Sequence, residues 1–442
     1  MWGVLIRSLS KDDTLYELNP QKLLMPASNM KIVTLAAAAE RLGWSFTYET
    51  TLFAAGHIDG GTLHGDLVVV GSGDPSLGFR DGSADRVFDE WTERLKALDI
   101  RRIAGRIVGD DDAFEDQELG FGWSWDDLPD DYAAGVSALQ FNENAVRITI
   151  SPGPAQGADA AVVVDPAGSD LTIDASVATT PTGTSTSIVV RRLPGSRRLT
   201  IHGTIAAGGS PARRVVSVDN PTLFFVQTLR RALIDRGIDV AGDAVDIDDL
   251  RDRPKVNSTP IVVHRSPPLS TLAIRLMKDS QNQYAETLLK TLSAAPGAVA
   301  SAAAGRAVAQ QIFATWDIGP DGLIQRDGSG LSRYDYVSAA TIVKILSHVY
   351  RDEKLRGPFE AALPVAGRDG TLASRMKGTP AEGNVRAKTG SMSNVRAVAG
   401  YLTTADREPL AFAVIANNFE TTADVINKAA DEIMLRLVTF SR

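Results

Sequence analysis

The residues from Pro26 to Gly43, "PASNMKIVTLAAAAERLG", place Ser28 one helical turn before Lys31, ahead of a run of small apolar side chains. A serine hydroxyl is a poor nucleophile until a neighbour removes its proton. The usual base is histidine, but all five here (His57, His64, His202, His264 and His348) are remote from Ser28 in sequence and lie in no catalytic motif. Lysine can replace it only when neutral, and at its ordinary pKa only about one molecule in a few thousand is neutral at pH 7. Burial lowers that pKa, and "IVTLAAAA" offers burial. The same spacing recurs at Ser8–Lys11 and Ser374–Lys377. Ser8 lies in a strand running into a turn, and Ser374 has at most one turn before Gly378 and Pro380. Ser28 alone opens a long helix, which sets the two Cβ atoms about 5–6 Å apart. From this segment alone, a capping serine beside a solvated lysine is the better explanation of the pattern.

Two further elements decide between these readings. "SQN", Ser280 to Asn282, is the only Ser-x-Asn of the chain, and "KTG", Lys388 to Gly390, is the only Lys-Thr-Gly. With Ser28–Lys31 they form, in order, the serine acyl-transfer set of penicillin-binding proteins and β-lactamases. The segments "GSGDPSL", "GWSWDDLPDDYAAGVSALQFNENA", "DSQNQYAETLLK", "DGSGLSRYD" and "RAKTGSMSNVRAVAGY" extend the likeness over nearly the whole chain. It resembles the serine-type D-alanyl-D-alanine carboxypeptidases of the class C, low-molecular-mass penicillin-binding proteins.

That resemblance assigns roles by position. Ser28 is then the acylated nucleophile and Lys31 its base. Ser280 relays a proton to the leaving amine, and Asn282 holds the substrate amide. Lys388 and Thr389 bind the terminal carboxylate, Gly390 lets the substrate backbone approach the strand, and the N–H groups of Ser28 and Ser391 form an oxyanion hole. Ser329, Leu331 and Arg333 line a side-chain pocket that Asp126 reaches from the insertion. The implied substrates are peptidoglycan stem peptides, with D-alanine released from an acyl-enzyme, endopeptidase action where a cross-bridge amine is the leaving group, and inhibition by β-lactams. No metal or organic cofactor is implied. The alternatives are a β-lactamase or esterase on the same fold, disfavoured by the large insertion and by Ser280 where a tyrosine is expected, and a non-catalytic wall-binding protein.

These residues need elements to hold them. "WGVLIRSL" and "DTLYELN", separated by "SKDD", read as a hairpin. "NVRAKTGS", "VRAVAGYLTT" and "LAFAVIANN" read as three strands, followed by a helix opening at "TTAD" with an apolar stripe of Ile426, Ala429, Ile433 and Leu437. Two N-terminal and three C-terminal strands predict one antiparallel five-stranded sheet flanked by helices, an α+β domain of the β-lactamase/transpeptidase type. Residues 1–45 and 255–442 would form it, and 46–254 a β-rich insertion of two subdomains with a seam at "SPGPAQGADA".

The composition sets outer bounds. The 442 residues are 44% apolar and 23% charged, as in ordinary globular proteins. A net charge of −8 argues against nucleic acid as a partner, and the lack of cysteine excludes thiolate chemistry and disulfides. No apolar run approaches the ~18 residues of a membrane helix, and "MWGVLIRSLSKDD" is not a secretory leader. An extracytoplasmic location (periplasm or cell-wall space) is expected from the substrate. The start within the first strand suggests a trimmed N-terminus. "VVVGSGDPSLG" imitates a dinucleotide loop but has Ser76 at the third glycine position and no helix opening in "GFRDGSAD". "DDDAFED" and "DDLPDD" do not have calcium-loop spacing. Trp123 and Trp125 are expected to pack rather than to bind sugar.

Overall fold

In a computed structural model, which describes residues 1–78, 86–169 and 171–442, the chain forms two compact units. One comprises Met1–Thr47, Gly120–Trp123 and Pro267–Arg442; the other comprises Tyr48–Leu119 and Ser124–Ser266. The stretch 79–85, where the "GFRDGSAD" reading falls, lies outside the described residues.

In the first unit, β1 (Trp2–Ser8) and β2 (Thr14–Leu18) form the expected hairpin. Helix α1 (Met30–Leu42) follows a single 3-10 turn, Ala27–Asn29. Every side chain from Met30 to Ala39 is buried, so small residues are what let α1 run through the interior. Gly43 ends it with φ +76° and an N–H to Ala39 O. Helices α2 (Leu269–Lys278), α3 (Asn282–Thr291), α4 (Ala302–Thr315), α5 (Ala339–Arg351) and α6 (Glu353–Ala362) come next. The helical stretch around "DSQNQYAE" is thus two helices broken at Ser280, whose φ is +60°.

Strands β3 (Arg386–Met392), β4 (Val395–Thr403) and β5 (Pro409–Asn417) complete an antiparallel sheet of order β3-β4-β5-β1-β2. Its register pairs Lys388 with Ala399, Gly390 with Ala397 and Val4 with Val414. One face (Val4, Ile6, Val398, Phe412, Val414) packs on helix α7 (Ala423–Val438), and α5 covers the other. The buried stripe of α7 is Ile426, Ala430, Met434 and Val438, an i, i+4 row. Ile433 and Leu437 are only half-buried and Ala429 is exposed, so the expected stripe is rotated. The N-cap of α7, Thr422, makes no side-chain capping bond, against the capping box expected there.

The second unit has a seven-stranded mixed sheet, including Glu49–Asp59 and Thr62–Gly71, and two three-stranded sheets. Helices Arg86–Ala97 and Pro221–Asp235 pack into an apolar core shared by all three sheets. "SPGPAQGADA" connects two antiparallel partners, Ala145–Ser151 and Ala161–Asp165, so it is a hairpin connection rather than a seam. Strand Val262–Arg265 pairs with Glu49–Asp59, which keeps the chain in this unit through Ser266 rather than to residue 254. Asp111 of "DDDAFED" joins Asp246 and Asp248, with carboxylate oxygens within 4.8 Å of one another. Burial pushes Asp111 up to about 7. Among the described residues, no helix is long and apolar enough to cross a membrane.

Candidate active site

Ser28 sits in the 3-10 turn that feeds α1, partly accessible, and caps nothing: neither Pro26 nor Asn29 at the helix start makes a side-chain capping bond. Ala27 before it has φ +46°, a strained conformation for a residue with a Cβ. Two glycines make room for this turn. A Cβ on Gly330 (φ +83°) would stand 1.9 Å from Ala27 O, and one on Gly390 would stand 2.4 Å from Pro26 O. The glycine of Lys-Thr-Gly therefore accommodates the backbone that leads into Ser28, a reason other than the substrate approach expected from the sequence.

Lys31 is fully enclosed, not solvated. Its Nζ lies 3.0 Å from Ser28 Oγ, 2.6 Å from Asn282 Oδ1 and 2.9 Å from Ser329 O. The last two can only accept. A neutral amine gives its two hydrogens to them, and its lone pair is left facing the Ser28 hydroxyl. Burial drives the Lys31 pKa down to about 7, partly opposed by Asp327, Glu286 and Asp335. The amine is therefore a competent base near neutral pH.

The break between α2 and α3 presents Ser280, and Asn282 starts α3. On β3, Lys388 and Gly390 share one face because strand side chains alternate. Lys388 is also fully enclosed; its Nζ donates to Ser280 Oγ at 2.8 Å and to Thr389 O at 2.9 Å. Burial, and then Lys31, hold its pKa well below that of an ordinary lysine. Two buried amines with serine oxygens at 3.0 and 2.8 Å thus bring the three sequence elements together. Strand β3 is the sheet edge, and Ser391 is exposed on it.

The other expected residues fare differently. Ser329 is fully buried and does not line a pocket; its main-chain carbonyl is what meets Lys31. Leu331 is half-buried, and Arg333 is exposed with Nη1 3.5 Å from Ser393 O. Asp126 is exposed in the second unit, its carboxylate accepting from Ser124 Oγ. Trp123 packs in the first unit and donates its indole N–H to Asp327 Oδ2 at 2.9 Å, whereas Trp125 is largely exposed.

Several groups escaped the sequence reading. Thr371 accepts from Thr389 Oγ1 at 2.7 Å, and nothing in its neighbourhood signals this. Gly330 and Asp327 lie in "DGSG", a pattern that by itself gives neither a role. Glu286 stands four residues after Asn282, a helical spacing that places both on one face and could have revealed it.

An antiparallel five-stranded sheet with helices on both faces, carrying Ser-Lys, Ser-Asn and Lys-Thr-Gly elements, is the architecture of penicillin-binding proteins. Residues 1–438 match the model of the D-Ala-D-Ala carboxypeptidase 3 (S13) family, and the chain belongs to that family. It is 30% identical to a D-alanyl-D-alanine carboxypeptidase of Actinomadura sp. (strain R39), over 99% of this chain and 81% of that one. Penicillin-binding protein 4 (dacB) of Haemophilus influenzae superposes with a TM-score of 0.85 at 26% identity, covering 98% of this chain and 96% of the other. The same protein complexed with a β-lactam gives 0.80 at 25% identity over 100% and 96% of the two chains. The chain is a peptidase of the penicillin-binding class.

Proposed function

We propose that the protein is a serine-type D-alanyl-D-alanine carboxypeptidase acting on peptidoglycan stem peptides outside the cytoplasmic membrane. The observation that carries this reading is the enclosed Lys31 amine, 3.0 Å from Ser28 Oγ with its other two polar neighbours being obligate acceptors. Lys31 takes the Ser28 proton as Oγ attacks the carbonyl of the penultimate D-alanine. The N–H groups of Ser28 and Ser391 hold the oxyanion. The proton passes through Ser280, aligned by Lys388, to the leaving amine, and D-alanine departs. Water then cleaves the ester with Lys31 again as base. Asn282 holds the substrate amide, and Lys388 with Thr389 receives the terminal carboxylate. Leu331 and Arg333 are the candidates for contact with the stem-peptide side chain.

Intact-mass measurement after penicillin treatment, followed by peptide mapping, tests the reading. A single stoichiometric adduct on Ser28 is expected, and an unmodified Ser28 would overturn it. An adduct that turns over within seconds would instead point to a β-lactamase. Release of D-alanine from a pentapeptide, compared with cleavage of a cross-linked dimer, ranks carboxypeptidase against endopeptidase action.

A further inference from the structure

Behind Lys31 lies a loop whose backbone is held almost entirely by buried carboxylates. Asp335 Oδ1 accepts from the N–H groups of Arg326 (2.5 Å) and Asp327 (3.3 Å). Glu286 accepts from Gly328 at 2.9 Å on Oε2 and from Ser329 at 2.8 Å on Oε1. Asp327 accepts from Gly330 and Ser332, each at 2.7 Å. The remaining N–H, that of Leu331, reaches Ser329 Oγ at 3.3 Å. Thus seven consecutive backbone donors end on side-chain oxygens, six of them on three carboxyl groups that are 0–4% exposed. Burying three acids together is costly, and both Glu286 and Asp335 are pushed above the ordinary carboxyl range by that burial and by Asp327. Helix packing alone does not need this arrangement. Its product at the site is one correctly aimed acceptor, the Ser329 carbonyl on Lys31 Nζ.

We propose that Glu286 is a positioning residue for the general base: by gripping the N–H groups of Gly328 and Ser329 it turns the Ser329 carbonyl onto Lys31 and so keeps the amine lone pair on Ser28. The inference rests on Lys31 acting as the base. Four ionisable groups bear on this amine or its neighbours: Glu286 from α3, Asp327 and Asp335 from the loop, and Lys388 from β3. The three acids favour its protonated form.

The test is the pH profile of acylation by a fluorescent penicillin, measured on the full chain. Glu286→Gln keeps the shape but supplies one acceptor where two are needed. The acylation rate constant is expected to fall roughly 10- to 100-fold, the cost of a small misplacement of a catalytic group. The acid limb should move to lower pH by about half a unit or more, because the Ser329 carbonyl, an acceptor that favours the protonated amine, no longer faces Lys31. A rate within about twofold of wild type, or a lower rate with an unmoved acid limb, overturns the proposal. Should that variant not fold, Thr34→Val slackens the same loop, since Thr34 Oγ1 donates to Gly328 O at 2.6 Å. A three- to tenfold slower acylation is then expected, on the order of one lost hydrogen bond, and an unchanged rate counts against the proposal. Wild-type protein that leaves Ser28 unlabelled defeats the underlying reading; labelled wild type with a wild-type-like Glu286→Gln defeats this inference alone.

Discussion

Two regions of the same unit carry Ser-x-x-Lys, and they are inverted with respect to each other. At Ser28–Lys31 the lysine is enclosed and the serine is reachable. At Ser8–Lys11 the serine is fully buried, its hydroxyl donating to Glu408, while half of the lysine side chain is exposed beside that carboxylate, 3.7 Å away. The third copy, Ser374–Lys377, is exposed at both positions. A spacing therefore brings two side chains together, but chemistry requires an amine without water and a hydroxyl with access. The helix that follows Ser28 supplies the first condition, and the strained Ala27 turn supplies the second.

The largest effect that sharpens this contrast should come from the serines. Ser28→Ala is expected to abolish the penicillin adduct and lower D-alanine release by roughly 10⁴-fold or more, whereas Ser8→Ala leaves labelling intact. Removing the Ser8 hydroxyl should instead cost about 1–2 kcal/mol in denaturant unfolding, because Glu408 loses a buried donor. Next come the lysines. Lys31→Met should slow acylation by about 10³-fold and Lys11→Met by less than about twofold, read with the same fluorescent penicillin. In the wild type, acylation should rise with pH through about 7, where Lys31 loses its proton.

Gly390→Ala should cost roughly 10²-fold in acylation, since its Cβ would drive Pro26 and Ser28 out of place. Wild-type labelling rates in that variant would break the argument that Gly390 serves the nucleophile.

The smallest effect is one of stability. The pKa of Lys31 is lowered on folding, from 10.5 to about 7, so the unfolded chain binds the extra proton between those values. The stability this lysine contributes is full above about 10.5 and is lost as pH falls towards 7. The unfolding midpoint of Lys31→Met relative to wild type should therefore rise by a few degrees, about 2–4 °C, between pH 10 and pH 7.

Much of this was legible because chemistry and folding use the same residues locally. The β1–β2 hairpin declared itself through alternation around "SKDD", and the three motifs through their order on a helix start, a helical segment and a strand. The five-stranded sheet followed from counting strands at both ends. What was hidden depends on distant backbone. The break at Ser280 follows from a positive φ that a serine does not advertise, and the α7 stripe was rotated because Ala429 and Ala430 are equivalent by pattern. Ser329 was expected to line a pocket, but it is buried and its carbonyl meets Lys31, and no side-chain pattern encodes where a carbonyl points. Gly390 was expected to clear space for substrate, whereas its close neighbour is the Pro26 carbonyl, a contact that arises only when β3 and the Ser28 turn meet.

The pinching of Ala27 between the backbones at Gly330 and Gly390 has an evolutionary consequence. Neither glycine can gain even a methyl group without collision, so Ser28 cannot be re-aimed through the residues packed around its turn. Lineages exposed to β-lactams would have to alter drug sensitivity at the rim instead, at exposed positions such as Thr371, Arg333 and Ser391, which can vary without dislodging the serine.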